Sequence, residues 1–188
     1  MLEAEVKLAL SPAEARALGD RLAEAGAQLL GEHMQTDVYF RHPVRDLASS
    51  DEALRLRVDG ERLLVTYKGP KLDPPRKTRE EIEFPLLTDL AHAKALLERL
   101  GFTSAATVRK RRREFRLPGE PGGHDGVVVS LDQVDELGCF CEIEVQTATV
   151  EHGRSVLANA LGRLGLEAKS PIAESYLELL LARNAASG

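Results

Sequence analysis

The sequence predicts an α+β fold: an eight-stranded antiparallel β-barrel, a tunnel with a polar, charged interior, with helices packed outside. Three observations predict it. Eight segments carry strand patterning, and helices interrupt them at intervals without the βαβ alternation that a parallel sheet requires. In the first strand Glu3, Glu5 and Lys7 share one face, while Leu2, Ala4, Val6 and Leu8 take the other, because strand side chains alternate with period two. The same inversion recurs in later strands, so the economical arrangement closes the sheet around its charged faces and turns the apolar faces outward.

The elements follow in order. Residues 2–9 form the first strand. Ser11-Pro12-Ala13-Glu14 opens a helix, with Ser11 as N-cap and Pro12 at the first helical position. Ala15, Leu18, Leu22 and Ala25 carry it at helical spacing to about Gly26. Residues 29–41 read as a second strand, followed by a loop with Pro43 and Ser49-Ser50. Residues 53–59 and 62–68 form a hairpin, with Asp59-Gly60 supplying the positive φ its tight turn needs. A Pro-rich connection from Gly69 to Pro75 leads to a strand over 77–84. Leu87-Thr88-Asp89 opens a helix that Gly101 ends. Residues 104–116 are a long strand, Pro118 to Gly126 a glycine-rich turn, and 126–133 and 139–147 the last two strands. Residues 150–165 and 172–184 read as helices. The expectation is one domain over 1–184, with 185–188 fraying.

Alternation assigns each strand a charged face. Arg55 and Arg57 lie together, as do Leu64, Thr66 and Lys68; Arg79, Glu81 and Glu83; Lys110 and Arg112; Ser130 and Asp132; and Glu142 and Glu144. Successive members of such a face stand about 6.6 Å apart along the strand. Burying an unpaired ion costs several kcal/mol even after relaxation, and mutual pairing or a charged ligand lowers that cost. The arginines suit phosphate, since a guanidinium engages two oxygens at once. The carboxylates suit a hard divalent cation, which binds through one or two carboxylates plus substrate phosphates. Acids and bases converging on one cavity therefore read as a metal–polyphosphate site.

Composition sets the outer bounds. With 188 residues, 29% charged and 43% hydrophobic, the chain can bury a sizeable core. The net charge of −5 argues against a dedicated nucleic-acid binder. No apolar run approaches the length of a membrane span, and Glu3 and Glu5 stand where a signal peptide would turn hydrophobic. Cys139 and Cys141 sit too close on one strand to pair comfortably, so a reduced, cytoplasmic setting is expected.

Glu3-x-Glu5-x-Lys7 resembles the N-terminal signature of the CYTH superfamily, the triphosphate tunnel metalloenzymes. The resemblance runs over residues 2–180 through Asp37-x-Tyr39, Arg55-x-Arg57, Thr66-x-Lys68, Arg79-x-Glu81-x-Glu83, Lys110-x-Arg112, Asp132 and Glu142-x-Glu144. Leu131 to Gly138 and Ser175 to Leu180 are most similar to the class IV adenylate cyclase branch. The resemblance implies Mg²⁺ or Mn²⁺ held by Glu3, Glu5, Glu142 and Glu144, with Asp132 and Glu81 at a second metal or a water. It implies a triphosphate clamp of Lys7, Arg55, Arg57, Lys68, Arg79, Lys110 and Arg112, with Lys169 adding charge at one mouth. Lys7, Glu81 and Asp132 are the implied catalytic residues. The loops at 42–52 and 69–77 carry no signature and are candidates for selecting the substrate.

The implied reaction is conversion of ATP to 3′,5′-cyclic AMP and pyrophosphate. The alternative is hydrolysis of inorganic triphosphate, thiamine triphosphate or a nucleoside triphosphate. A third reading is a non-catalytic module that binds polyphosphate or RNA ends, for which Arg109 to Arg113 is the feature to weigh. Alternation splits that run, with Lys110 and Arg112 inward and Arg109, Arg111 and Arg113 outside, so a nucleic-acid partner is not expected. The five histidines, His33, His42, His92, His124 and His152, have no ligand spacing and read as structural. Cys139 and Cys141 face the apolar side and read as packing. Gly119 to Gly126 lacks the lysine and context of a phosphate-binding loop. Tyr39 and Tyr176 read as core rather than as nucleobase contacts. Leu177, Leu180 and Leu181 read as a packing face, with a homodimer surface as the alternative.

Overall fold

The computed structural model describes residues 2–72, 78–119 and 126–187. Eight strands, β1 (Leu2–Leu10), β2 (Gln28–Arg41), β3 (Ala53–Asp59), β4 (Arg62–Lys68), β5 (Arg79–Leu86), β6 (Thr103–Arg116), β7 (Val128–Val134) and β8 (Gly138–Thr147), close into a barrel in the order β1-β5-β4-β3-β2-β6-β7-β8. Every pairing is antiparallel. Four helices, α1 (Pro12–Glu24), α2 (Leu90–Arg99), α3 (Val150–Arg163) and α4 (Tyr176–Ser187), lie outside it. The expected α+β barrel with external helices is therefore the fold.

Local chemistry sets the boundaries. Ser11 and Glu14 form a reciprocal capping box at α1, and Asp89 and Thr149 cap α2 and α3. In the β3–β4 hairpin only Gly60 takes a positive φ, of 59°, because Asp59 stays in the ladder opposite Arg62. The last helix begins at Tyr176 rather than 172. Ser175 and Glu178 cap it reciprocally, and Ile172 is extended, its N–H donating to the Lys7 carbonyl at 2.8 Å. The helix continues to Ser187, beyond the point where fraying was expected. Residue 77 at the start of the expected 77–84 strand, most of the Gly119 to Gly126 turn, and His124 lie outside the described residues.

Two of the three hydrophobic clusters sit outside the barrel. One cluster packs Val6, Leu8, Val129, Cys141 and Ile143 of β1, β7 and β8 against Leu18 and Leu22 of α1 and Leu157 and Leu161 of α3. A second gathers Val38, Phe40, Leu56 and Leu63 under Ala93 of α2. A third, Val108, Val134 and Phe140, lies on the inward face, two residues along their strands from Lys110, Asp132 and Glu142, and Tyr176 and Leu180 of α4 pack against it. At ~25 cal/mol per Å² of apolar surface, each fully buried leucine contributes about 2 kcal/mol. The helices do not cover every outward face: on β5, Ile82 and Phe84 remain about half exposed. Both cysteines are free; Cys141 is buried in the first cluster and Cys139 packs against it. Among the described residues no helix is long and apolar enough to cross a membrane.

Candidate active site

The inward faces enclose a cavity of about 710 Å³. Its lining includes Glu3, Glu5, Lys7, Arg55, Arg57, Lys68, Arg79, Glu81, Lys110, Arg112, Glu142 and Glu144. Twelve of the sequence-derived site residues thus meet in one space. Two do not. Lys169 lies outside the barrel, where its Nζ stands 2.7 Å from Glu14 and donates to the Ala9 carbonyl; the last residues before α4 cross the exterior of β1, so its charge tethers α1 instead of lining a mouth. Asp132 is buried behind the lumen surface and is engaged by Arg112, Lys110 and Tyr176.

Arg55 and Arg57 on β3 and Lys110 and Arg112 on β6 form one wall with their counter-ions Asp37 on β2 and Asp132 on β7. Arg57 donates from Nε and Nη2 to the two Asp37 oxygens at 2.6 and 2.7 Å, and Arg55 stands 3.5 Å from the same carboxylate. Burial opposes ionisation of Asp37, but Arg57 and Arg55 outweigh it and hold the carboxyl well below its usual range. Arg112 repeats the arrangement with Asp132, at 2.7 and 2.6 Å, and also reaches Glu142. Such forks are the strong form of charge-assisted hydrogen bond. Lys110 is 3.5 Å from Asp132; burial, and then Arg112 beside it, bring its ammonium down to about 8.

The opposite wall, on β8, β1, β5 and β4, is acidic. Register sets Glu5 directly across from Glu144 and Lys7 across from Glu142. Lys7 Nζ is 3.2 Å from Glu142, and Lys68 bridges Glu81 at 2.5 Å and Glu3 at 3.3 Å. Burial raises Glu3 to about 8; Lys68 opposes this, while Glu144 and Glu81 add to it. Burial raises Glu144 to about 7, with Glu5 adding and Arg112 opposing. Glu81 moves the other way, to about 2, because Lys68 and Arg55 overcome its burial.

A divalent cation fits this donor set. Like charges directly opposite in a ladder destabilise it, and two buried acids held up to about 8 and 7 lack enough positive charge to ionise at neutral pH. Among the described residues no three acidic, imidazole or thiol side chains are grouped as a complete metal cage.

Further residues add to the predicted set. Asp37 carries two arginines, and the Gln35-Asp37-Tyr39 face of β2 was the signal for it. Gln35 lines the cavity with its Oε1 buried and without a hydrogen bond. Tyr176 closes over the lumen rather than filling core alone. The 42–52 loop, through Val44 and Leu47, and α4, through Leu177 and Leu181, line the cavity as well. His42 shapes that loop by accepting the Val44 and Arg45 N–H groups at its Nδ1.

Comparison with known proteins agrees with this geometry. The CYTH domain model matches residues 1–176. The chain is 32% identical over 182 residues to "Putative adenylate cyclase MJ0240" of Methanocaldococcus jannaschii, covering 95% of this chain and 98% of that one. The structure of the PH1819 protein from Pyrococcus horikoshii superposes with a TM-score of 0.80 at 31% identity, over 96% of this chain and 99% of that one. A Hippeastrum protein, HpAC1, described as an adenylyl cyclase with a dominant triphosphatase activity, shares the fold with a TM-score of 0.66 at 22% identity, over 97% of this chain and 96% of that one. An eight-stranded barrel with this charged lumen, matched along nearly its whole length, makes the chain a member of the CYTH domain family.

Proposed function

We propose that the protein is a divalent-metal-dependent enzyme acting on a triphosphate, of the class IV adenylate cyclase kind, converting ATP to 3′,5′-cyclic AMP and pyrophosphate. The observation that carries this reading is the segregation of charge across one cavity. The forks of Arg57 and Arg112, with Arg55 and Lys110, face a wall where Glu5 opposes Glu144 and Lys68 stands between Glu3 and Glu81. The cations neutralise and orient a phosphate chain, placing its reacting phosphorus against the attacking oxygen. Glu5 and Glu144, with Glu3 and Glu142, would hold Mg²⁺ or Mn²⁺, which when bound supplies Lewis acidity at phosphate oxygens. Arg79 lines the same cavity and anchors to the Gly69 carbonyl at 3.4 Å. Glu81 holds Lys68 in place, and Asp132 acts through Arg112 and Lys110. The relative from Methanocaldococcus supports the cyclase choice by its name.

Triphosphate hydrolysis is the second reading. It is favoured by a lumen whose charged groups suit a metal-bound phosphate chain and by the activity described for the Hippeastrum protein, although that likeness extends to the fold alone. The apolar lining from Leu47, Leu54, Leu177 and Leu181 favours a substrate with an organic group over inorganic triphosphate. The two free cysteines fit a reduced, cytoplasmic setting.

Product analysis decides between them. The protein is incubated with ATP, thiamine triphosphate and inorganic triphosphate, each with Mg²⁺ and with Mn²⁺. Cyclic AMP with equimolar pyrophosphate from ATP is the expected result. Orthophosphate without cyclic product would replace cyclase with triphosphatase, and absence of turnover on every substrate would leave a binding module.

A further inference from the structure

Tyr176 is the first residue of α4 and is only 4% exposed. Its ring lies under two ammonium groups, with Lys7 Nζ 4.0 Å and Lys110 Nζ 5.0 Å from the centroid. Its hydroxyl donates to Asp132 Oδ2 at 2.8 Å, the oxygen that also accepts from Arg112. The edge of Phe140 packs against it, with centroids 5.1 Å apart. The segment before it is fastened to the same lysine: Lys7 Nζ donates to the Glu174 carbonyl at 3.1 Å, and the Ile172 N–H to the Lys7 carbonyl at 2.8 Å. One side chain from outside the barrel therefore meets charged residues of β1, β6 and β7.

Packing alone does not account for these contacts. A phenylalanine would fill the volume, and a buried hydroxyl needs a partner it would otherwise lack. Two buried ammonium groups in one cavity repel each other, and an aromatic face offers both a negative surface without a formal charge. An acid in its place would neutralise one lysine and remove it from phosphate binding.

We infer that Tyr176 is a positioning residue of the phosphate clamp, setting Lys7 and Lys110 through its ring and Arg112 through Asp132, so that seating of the C-terminal helix and alignment of the clamp are one event. The inference rests on the triphosphate reading of the lumen. It gives a physical role to the Ser175–Leu180 segment, whose resemblance to the cyclase branch had none.

The test is calorimetric binding of tripolyphosphate, with Mg²⁺ present, to the full chain and to Tyr176→Phe, Tyr176→Leu, Lys7→Ala and the Lys7→Ala/Tyr176→Leu double variant. Thermal melts check that each is folded, and Tyr176→Met replaces the leucine variant should that one melt below the assay temperature. Tyr176→Leu should weaken binding about tenfold. Tyr176→Phe, which keeps the ring, should stay within about threefold of the parent. In the Lys7→Ala background the leucine change should cost clearly less than in the parent, since neighbours that act together are non-additive. Equal affinity of the parent and Tyr176→Leu overturns the inference. So does a loss of the same size in both backgrounds with phenylalanine as weak as leucine, which is the signature of a purely structural role. If the parent itself does not bind tripolyphosphate, the reading of the lumen fails and takes the inference with it; a parent that binds beside an unaffected leucine variant removes the inference alone.

Discussion

On the β3–β2–β6–β7 wall of the tunnel, Asp37 and Asp132 each grip an arginine through two short hydrogen bonds. On the β8–β1–β5–β4 wall, Glu5 faces Glu144 across the ladder, and burial leaves Glu3 and Glu144 titrating at about 8 and 7. The two walls bury comparable numbers of charges and treat them differently. The basic wall is locked by internal counter-ions, so its guanidinium groups keep their orientation before any ligand arrives. The acidic wall is under-compensated and gains most from an added cation. A rigid anion clamp facing two acids set directly across the ladder from each other is the arrangement a metal-bound polyphosphate completes.

The largest expected effect breaks the locked wall. Asp37→Asn keeps the shape and removes the charge that serves Arg57 and Arg55. Leaving the buried Arg57 guanidinium without its acid, and Arg55 with only the longer contacts to Glu81 and Glu83, should destabilise the fold by about 3–5 kcal/mol. Urea unfolding measures this, and a loss below about 1 kcal/mol would mean the fork is dispensable. The converse change on the other wall should behave oppositely. Glu5→Gln or Glu144→Gln relieves a like-charge pair, so the metal-free fold should melt no lower than the parent. Metal-dependent turnover should nevertheless fall by about a hundredfold or more. Unchanged turnover would remove these carboxylates from metal binding.

A pH titration sharpens the comparison. Both glutamates start from an ordinary value of 4.5 and are raised in the folded chain. Between pH 4.5 and about 8 the folded protein therefore holds protons that the unfolded chain has released. Stability from these groups is fully present below 4.5 and is lost as pH rises through about 7 and then 8. The melting temperature of the metal-free protein should fall by about 5 °C from pH 5 to pH 8. Saturating Mg²⁺ should flatten the decline, because the cation takes the place of the protons. A flat profile without metal would show the acidic wall to be better compensated than its geometry indicates.

How much of this was legible follows from what alternation encodes. Period two fixes which side chains share a face, so the inward sets of β1, β3, β4, β5, β6 and β8 could be read from their residues. It does not fix register, which depends on loops of uneven length. That Arg112 meets Asp132, that Lys7 meets Glu142 and that Glu5 opposes Glu144 are register facts. Asp132 was thus placed on the right face without the partners it meets there. Asp37 lay hidden because β2 is apolar on both faces around Val38, Tyr39 and Phe40, and a lone acid there carries little pattern. Lys169 misled because nearness to the last helix in sequence says nothing about which side of the sheet a connection crosses. The run before Tyr176 is set by the Ile172 N–H donating to the Lys7 carbonyl and the Lys7 Nζ donating to the Glu174 carbonyl, across more than 160 residues of sequence.

The smallest expected effect contrasts the two faces of a single strand. The run Arg109 to Arg113 on β6 divides as alternation requires: Lys110 and Arg112 are buried in the lumen, while Arg109, Arg111 and Arg113 are exposed. Outside, Arg111 and Arg113 both engage the partly exposed Glu32, and Arg113 also lies over the Phe115 ring with 5.1 Å to its centroid. Exposed ion pairs of this kind contribute about 0–1 kcal/mol, because water and salt screen them. Arg111→Ala should therefore shift stability by no more than about 0.5 kcal/mol and leave tripolyphosphate affinity unchanged. Lys110→Ala, one position away, should weaken tripolyphosphate binding while metal affinity holds. If Arg111→Ala instead reduced affinity for RNA with a steep salt dependence, the outer arginines would be a nucleic-acid surface and the five-residue run would have two functions.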